Sequence, residues 1–224
     1  MRMAGHRTEK EAGRVRRTAP LKREEVVEVA LGLLDEVGLD GLTTRRLAEK
    51  LGVRVGALYW HVSSKQELLA AIADRIMEEF STRPVAEGGW EERTSEEAQR
   101  LRRVLLSHRD GARVLVGTIG LGPNILMVAE RFLDILRETG FPLEVAAYGW
   151  DTIASFVTGF VLQEQSAPFG PSSVPEEPER LAEIVDPHLF PNLTEWLSRS
   201  PHDPDGYFDA KLGLIIDGLR AQLS

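Results

Sequence analysis

No cysteine occurs in the 224 residues. Its absence excludes disulfides, thiolate zinc sites and thiol catalysis, and it removes the redox clue to compartment. Only five histidines are present, His6, His61, His108, His188 and His202. None forms a His-x-x-x-His pair, so no metal site is expected. No alternating strand pattern appears, and no repeat recurs at a fixed period. The first 25 residues hold no apolar run of signal-peptide type, so a cytoplasmic protein is expected. One long apolar run exists, from Val145 to Leu162, with Asp151 as its single charge. Its 18 residues sit at the lower limit for a membrane span. Asp151 would lie in mid-bilayer, and no second span or basic flank supports insertion, so the run reads as a core helix and no membrane partner is expected. Carboxylates are many, but no pair stands in a recognisable catalytic setting. The segment Gly117-Thr118-Ile119-Gly120-Leu121-Gly122 lacks the Gly-Lys-Ser/Thr ending and the preceding strand of a phosphate loop. It reads as a flexible connection. No catalytic residue, metal or cofactor is expected, and the chain does not read as an enzyme.

The composition is that of a chain able to bury a core, with 42% hydrophobic and 28% charged residues. The net charge of −8 is unevenly spread. Residues 1–65 hold thirteen basic and nine acidic side chains, a net of +4, and residues 66–224 carry −12. A basic end on an acidic body suggests a polyanion partner for the N-terminal part alone. Residues 1–20 lack periodicity and read as a disordered arm, which fits a solvated tail as well as a polyanion contact. Helical spacing begins at Lys22 and runs through Val26, Ala30, Leu33, Leu34 and Val37, with Gly38 as a left-handed cap. Thr43 or Thr44 can cap a short helix that ends at Gly52. A third helix is predicted over 55–61. Ser64-Lys65-Gln66-Glu67 reads as a capping box for a longer helix carrying Leu68, Leu69, Ile72, Ile76 and Phe80. Further helices are predicted near 90–107, 110–116, 124–138, 143–165 and 206–222. Residues 166–204 contain eight of the twelve prolines and read as an irregular insertion, with one short helix over 193–200. The runs Glu78-Glu79, Glu91-Glu92 and Glu96-Glu97 read as solvated helix faces. His108 is placed near a helix end, where its charge can meet the C-terminal dipole.

The stretch from Thr43 to Val62 is the informative one. A short helix, a turn at Gly52 and a second short helix fit a helix-turn-helix. Ala48 is small where two helices must approach, and Leu47, Leu51, Val53 and Leu58 can fill a small core. A seven-residue second helix is about 10 Å long and suits a major groove about 12 Å wide. Tyr59, Trp60 and His61 crowd its far end, where hydrogen bonds and charge can reach phosphates. For Trp60 alone, burial in the core is an equally simple reading.

Residues 22–80 resemble the DNA-binding domain of TetR-family bacterial repressors. Glu36-Val37-Gly38-x-x-Gly41-Leu42-Thr43-Thr44-Arg45-x-Leu47-Ala48-x-Lys50-Leu51-Gly52-Val53 and Leu58-Tyr59-Trp60-His61-Val62-x-x-Lys65 carry the match. Leu105-Leu106-Ser107-His108-Arg109-Asp110-Gly111-Ala112-Arg113-Val114, Gly117-Thr118, Gly140-Phe141 and Thr158-Gly159-x-Val161-Leu162 are similar to the tetracycline repressors within that family. The resemblance implies an all-α fold, with an N-terminal three-helix helix-turn-helix DNA-binding domain and a C-terminal helical ligand-binding and dimerisation domain. The expected division is a basic arm over 1–20, the DNA-binding domain over 21–66 and the body over 67–224.

Carried over by position, Thr44, Arg45, Tyr59, Trp60, His61 and Lys65 match DNA-contacting residues. Arg45 is the expected base reader, because its fork suits guanine. Val55 and Ala57 offer methyl contacts. The expected ligand wall is Leu101, Leu105, Leu115, Ile119, Met127, Trp150, Phe156 and Phe160, with Thr118 and Arg131 as its polar members. Ser81, Glu97, Leu115, Ser155 and Gln163 stand where the family's magnesium–tetracycline binders place their polar ligands, and Leu115 offers no donor to a hard cation. The implied function is a repressor that binds a palindromic operator as a homodimer and is released by a small hydrophobic or aromatic molecule. Two apolar helices, 143–165 and 206–222, can build a four-helix bundle across a two-fold axis. A small-molecule carrier or enzyme with a vestigial helix-turn-helix, and sequence-neutral DNA binding by the arm, are the competing readings.

Overall fold

A computed structural model of the chain describes residues 20–118, 121–166, 185–199 and 203–223. The readings made for residues 1–19, for Ile119 and for most of the proline-rich insertion lie outside the described residues. Ten α-helices follow one another among the described residues: α1 Arg23–Gly41, α2 Thr44–Lys50, α3 Val55–Leu58, α4 Lys65–Ser81, α5 Trp90–Leu106, α6 Gly111–Val116, α7 Pro123–Glu138, α8 Leu143–Gln165, α9 Pro191–Arg199 and α10 Pro204–Arg220. No strand occurs among the described residues. The all-α class expected from the sequence holds.

Helix ends fall where the sequence chemistry puts them. Thr43, not Thr44, caps α2, its hydroxyl accepting from the Arg46 N–H at 3.3 Å. The helical geometry of α1 breaks at Gly38, whose φ is 73°, a left-handed value that glycine adopts without a Cβ penalty. Ser64 accepts from the Glu67 N–H at 3.0 Å and starts α4. The reciprocal half of the predicted capping box is displaced by one residue. The Glu67 carboxylate accepts from the Ser63 N–H at 2.7 Å and its hydroxyl at 2.6 Å. These bonds hold that carboxyl below its ordinary range. Helix α3 is shorter than predicted. Only Val55–Leu58 is α-helical, and the last turn tightens as the His61 N–H bonds back to Leu58.

One continuous hydrophobic core runs through the molecule, from Val26 and Leu34 on α1 to Phe208 and Leu212 on α10. Helix α4 joins its two ends. It packs against α1 on one side and against α5, α6 and α7 on the other. Its C-terminus is held by Arg131 of α7, whose guanidinium donates to the carbonyls of Phe80, Ser81 and Arg83. A cation there satisfies orphan carbonyls and suits the helix dipole. Glu97 is a correction to the sequence reading. It is fully buried rather than part of a solvated face. Burial raises its pKa, against the Arg100 guanidinium at 2.8 Å and the Ala86 N–H, which favour the charge. Helix α8 is long and apolar enough to cross a membrane, and packs here against α5, α6, α7 and α10. Its outer face leaves Tyr148 72% exposed, beside Leu214 of α10 at 73%.

Candidate nucleic-acid interface and ligand cavity

The small core of the first three helices leaves one face free. Leu47, Ala48, Leu51, Leu58 and Val62 are buried, and Val53 is half-buried. Packing these side chains inward turns their neighbours outward. Arg45, Val55, Tyr59, Trp60 and Lys65 are exposed, whereas Thr44, Ala57 and His61 are half-buried. Trp60 is 89% exposed, so the core reading of this residue does not hold, while Leu58 beside it is buried. The cations around it divide into two sets. Arg46 donates to the Gly41 carbonyl, Lys50 pairs with Glu36, and Arg23 with Glu67. The side chains of Arg45, Arg54 and Lys65 make no hydrogen bond or ion pair among the described residues. Arg54, the residue before α3, was passed over in the sequence, because a single basic residue in a turn carries no pattern of its own.

The body holds a cavity of about 610 Å³ that opens to the surface. Met77 of α4, Leu101 of α5, Leu115 and Val116 of α6, Ile125 and Val128 of α7 and a long face of α8 line it. The α8 face consists of Trp150, Asp151, Ala154, Ser155, Thr158, Gly159 and Leu162. Four of the expected wall residues are there: Leu101, Leu115, Thr118 and Trp150. Five others are not. Leu105 is fully buried in the core, and Met127 faces outward, 49% exposed. Phe156 stacks on Phe208 at 5.1 Å and Phe160 meets the same ring edge-on at 5.1 Å, both outside the cavity lining. Arg131 is spent on the α4 carbonyls. The sequence signal for the missed α8 residues was present: Asp151 is the only charge in the apolar run, and Ser155 and Thr158 follow it at i+4 and i+7.

Between these two regions the chain folds into a clasp. Segment 107–113, which leads into α6, grips the end of α1. Asp35 accepts from His108 Nδ1 and from the Arg109 N–H, both at 3.0 Å. Arg109 donates to the Glu36 carbonyl at 3.1 Å, and Arg113 pairs with Asp40 and Asp110. Asp110 accepts from the Leu39 N–H at 2.8 Å. Burial opposes the charge on Asp110, but this amide, Arg113 and Arg109 outweigh it and hold the carboxyl below the ordinary aspartate range. Its φ of 59° is left-handed, the only such value in a non-glycine among the described residues. His108 thus finds a carboxylate partner as well as a helix end.

The residues standing at the family's magnesium–tetracycline positions do not fit that ion. Leu115 is apolar, Glu97 is engaged by Arg100, Ser81 donates to Asn124, and Gln163 is exposed and outside the cavity lining. No group of three His, Asp or Glu side chains that could hold a metal lies among the described residues.

Comparison with known proteins agrees with the geometry. Residues 26–72 match the model of the tetR family of bacterial regulatory proteins, and residues 84–223 match the tetracyclin repressor-like C-terminal domain. The class A tetracycline repressor of transposon 1721 from Escherichia coli is 39% identical over 202 residues, 89% of this chain and 90% of that protein. The Streptomyces coelicolor TetR family protein ActR in complex with actinorhodin has a TM-score of 0.78 at 35% identity, over 91% of this chain and 98% of ActR. BioQ on its double-stranded DNA operator has a TM-score of 0.67 at 30% identity, over 90% of this chain and 99% of BioQ. Regulators of this kind are DNA-binding proteins rather than enzymes. The chain belongs to the TetR family of ligand-responsive transcriptional repressors.

Proposed function

We propose that this repressor binds a palindromic operator as a homodimer in the cytoplasm and is released when a flat, hydrophobic molecule enters the body. The observation that carries this reading is the clasp. Helix α6 lines the cavity through Leu115 and Val116, and the residue before its first turn, Asp110, is bonded to Leu39 at the end of α1. A ligand that displaces α6 therefore pulls on the DNA-reading end of the molecule. The cavity volume falls within the roughly 300–1,000 Å³ of small-molecule sites, and its wall is mostly apolar.

Arg45 reads a base, Val55 and Ala57 supply methyl contacts, and Thr44, Tyr59, Trp60, His61 and Lys65 hold the backbone. One short recognition helix makes too few base contacts to discriminate well, so two half-sites are needed. The face shared by α8 and α10 provides the pairing surface. Tyr148 and Leu214 are exposed there around a groove floored by Gly149 and Gly218. Two copies of this face build a four-helix bundle. Fluorescence anisotropy with inverted repeats from the DNA upstream of the gene tests the proposal. Salt-resistant preference for one repeat, lost on adding an aromatic ligand, supports it. Equal affinity for scrambled DNA refutes it.

A further inference from the structure

The cavity has a charge preference of its own. Asp151 is the only ionisable side chain among its lining residues, and no cation lines it. Asp151 makes no hydrogen bond or ion pair among the described residues, so its carboxylate is uncommitted. Ser155 and Thr158 lie on the same face of α8, one and two turns further on, and also line the cavity. A hydroxyl on a helix commonly bonds back to the carbonyl four residues earlier. Thr152 does so with Tyr148 at 2.7 Å, and Thr139 does so with Ile135 at 3.0 Å. Ser155 and Thr158 make no such bond. Helix α8 therefore presents a stripe of three free polar groups, about 10 Å long, along an otherwise apolar wall.

Resting on the ligand-binding reading above, we infer that the cavity selects an aromatic molecule bearing a protonated amine, with Asp151 receiving the ammonium group. A carboxylate accepts but cannot donate, and it repels an anion. The neighbouring Trp150 ring also favours a cation over a neutral group. Ser155 and Thr158 take the hydroxyl or carbonyl groups of the ring system, to which they can donate or from which they can accept.

Three anthraquinones that differ only in one arm, aminoethyl, hydroxyethyl or carboxymethyl, separate the possibilities. Titration of the full-length protein at neutral pH, read by calorimetry and by release of operator DNA, ranks them. The expected order is aminoethyl, hydroxyethyl, carboxymethyl, with about a tenfold gap between the first two. Asp151→Asn closes that gap by weakening the aminoethyl compound far more than the hydroxyethyl one, and Asp151→Glu retains most of it. Equal affinity for the first two arms, a preference for the carboxymethyl arm, or an order unchanged in D151N overturns the inference while leaving an aromatic-ligand cavity. Failure of all three compounds to bind overturns the cavity reading itself, and the charge preference with it. Asp151 is exposed and unpaired, so circular dichroism should show D151N folded as the parent is.

Discussion

Asp110 Oδ2 accepts the Leu39 N–H at 2.8 Å and lies only 2.9 Å from where a Cβ on Gly38 would sit. The carboxylate thus closes over the glycine at which the helical geometry of α1 breaks. Sequence, backbone geometry and side-chain charge meet at this point. Gly38 gives the chain a left-handed residue, the turn then points the Leu39 amide outward, and a depressed-pKa aspartate from 71 positions downstream satisfies it.

Asp110→Ala removes the acceptor and leaves a left-handed residue without the polar side chain that makes such a residue tolerable. A loss of about 1–3 kcal/mol in urea unfolding is expected. Asp110→Asn keeps the backbone tolerance and part of the hydrogen bond, and should cost less. Because the folded-state pKa of Asp110 lies below the unfolded value, its charge stabilises the protein above the unfolded value. That stability is lost as pH falls through the lowered value. The gap between parent and D110N should be widest at neutral pH and narrow in acid. A gap independent of pH would show that the charge contributes nothing. Either variant should also bind ligand while releasing operator less completely.

Gly38→Ala tests the other half of the same contact. A Cβ there meets Asp110 Oδ2 at 2.9 Å and Arg109 Nε at 3.0 Å, on a residue with φ 73°. A destabilisation of about 1–2 kcal/mol or more is expected from the backbone alone. A melting temperature equal to that of the parent would mean that α1 can end another way.

On DNA, the uncommitted cations are predicted to separate by role. Arg45→Ala should cost about 1–3 kcal/mol on the cognate site and relax specificity at one base pair. Lys65→Ala should weaken all sequences alike and lower the salt slope by about 1. Removing residues 1–19 should reduce affinity and salt slope while keeping operator preference. Loss of preference on deleting the arm would move recognition out of the helix-turn-helix.

Much of this was legible beforehand, for reasons that differ from residue to residue. Gly38, Gly52, Thr43 and Ser64 are punctuation, where local chemistry decides local geometry, and each acts as such in the structure. The core of the small domain follows from helical spacing. Glu97 and Arg131 were misread because their partners come from other helices, and nothing in the local run distinguishes a buried glutamate from a solvated one. Phe156 lies outside the cavity lining, which the sequence hides for a related reason. A helix apolar all round does not reveal which face turns to a cavity and which to Phe208. The clue was polar: Asp151, Ser155 and Thr158 mark the open side of α8 because burying them elsewhere would leave them unpaired.

Pairing through α8 and α10 is tested by Leu214→Glu. Leu214 is 73% exposed, so a single chain should tolerate the change with little loss of stability. In a dimer the new carboxylates would be buried near each other across the two-fold axis. Sedimentation should then show a folded monomer, and operator affinity should fall by well over tenfold because one half-site is abandoned. A dimeric L214E would move the interface to another face.

Metal independence of ligand release is expected, and it follows from the cavity's donor set. Magnesium needs near-octahedral oxygen ligands, usually with one or two carboxylates. The cavity provides one carboxylate, Asp151, and the hydroxyls of Thr118, Ser155 and Thr158, of which Thr118 already bonds to Leu115. Leu115 supplies an apolar surface where a ligand atom would be required. A chelated cation would enter without enough donors to replace its water. Release of operator by a bound aromatic ligand should therefore be the same with excess EDTA as with millimolar magnesium, and tetracycline should cause no magnesium-dependent release. A magnesium-dependent shift in the anisotropy titration would show that the ligand itself brings the missing oxygens, and that Leu115 is no obstacle.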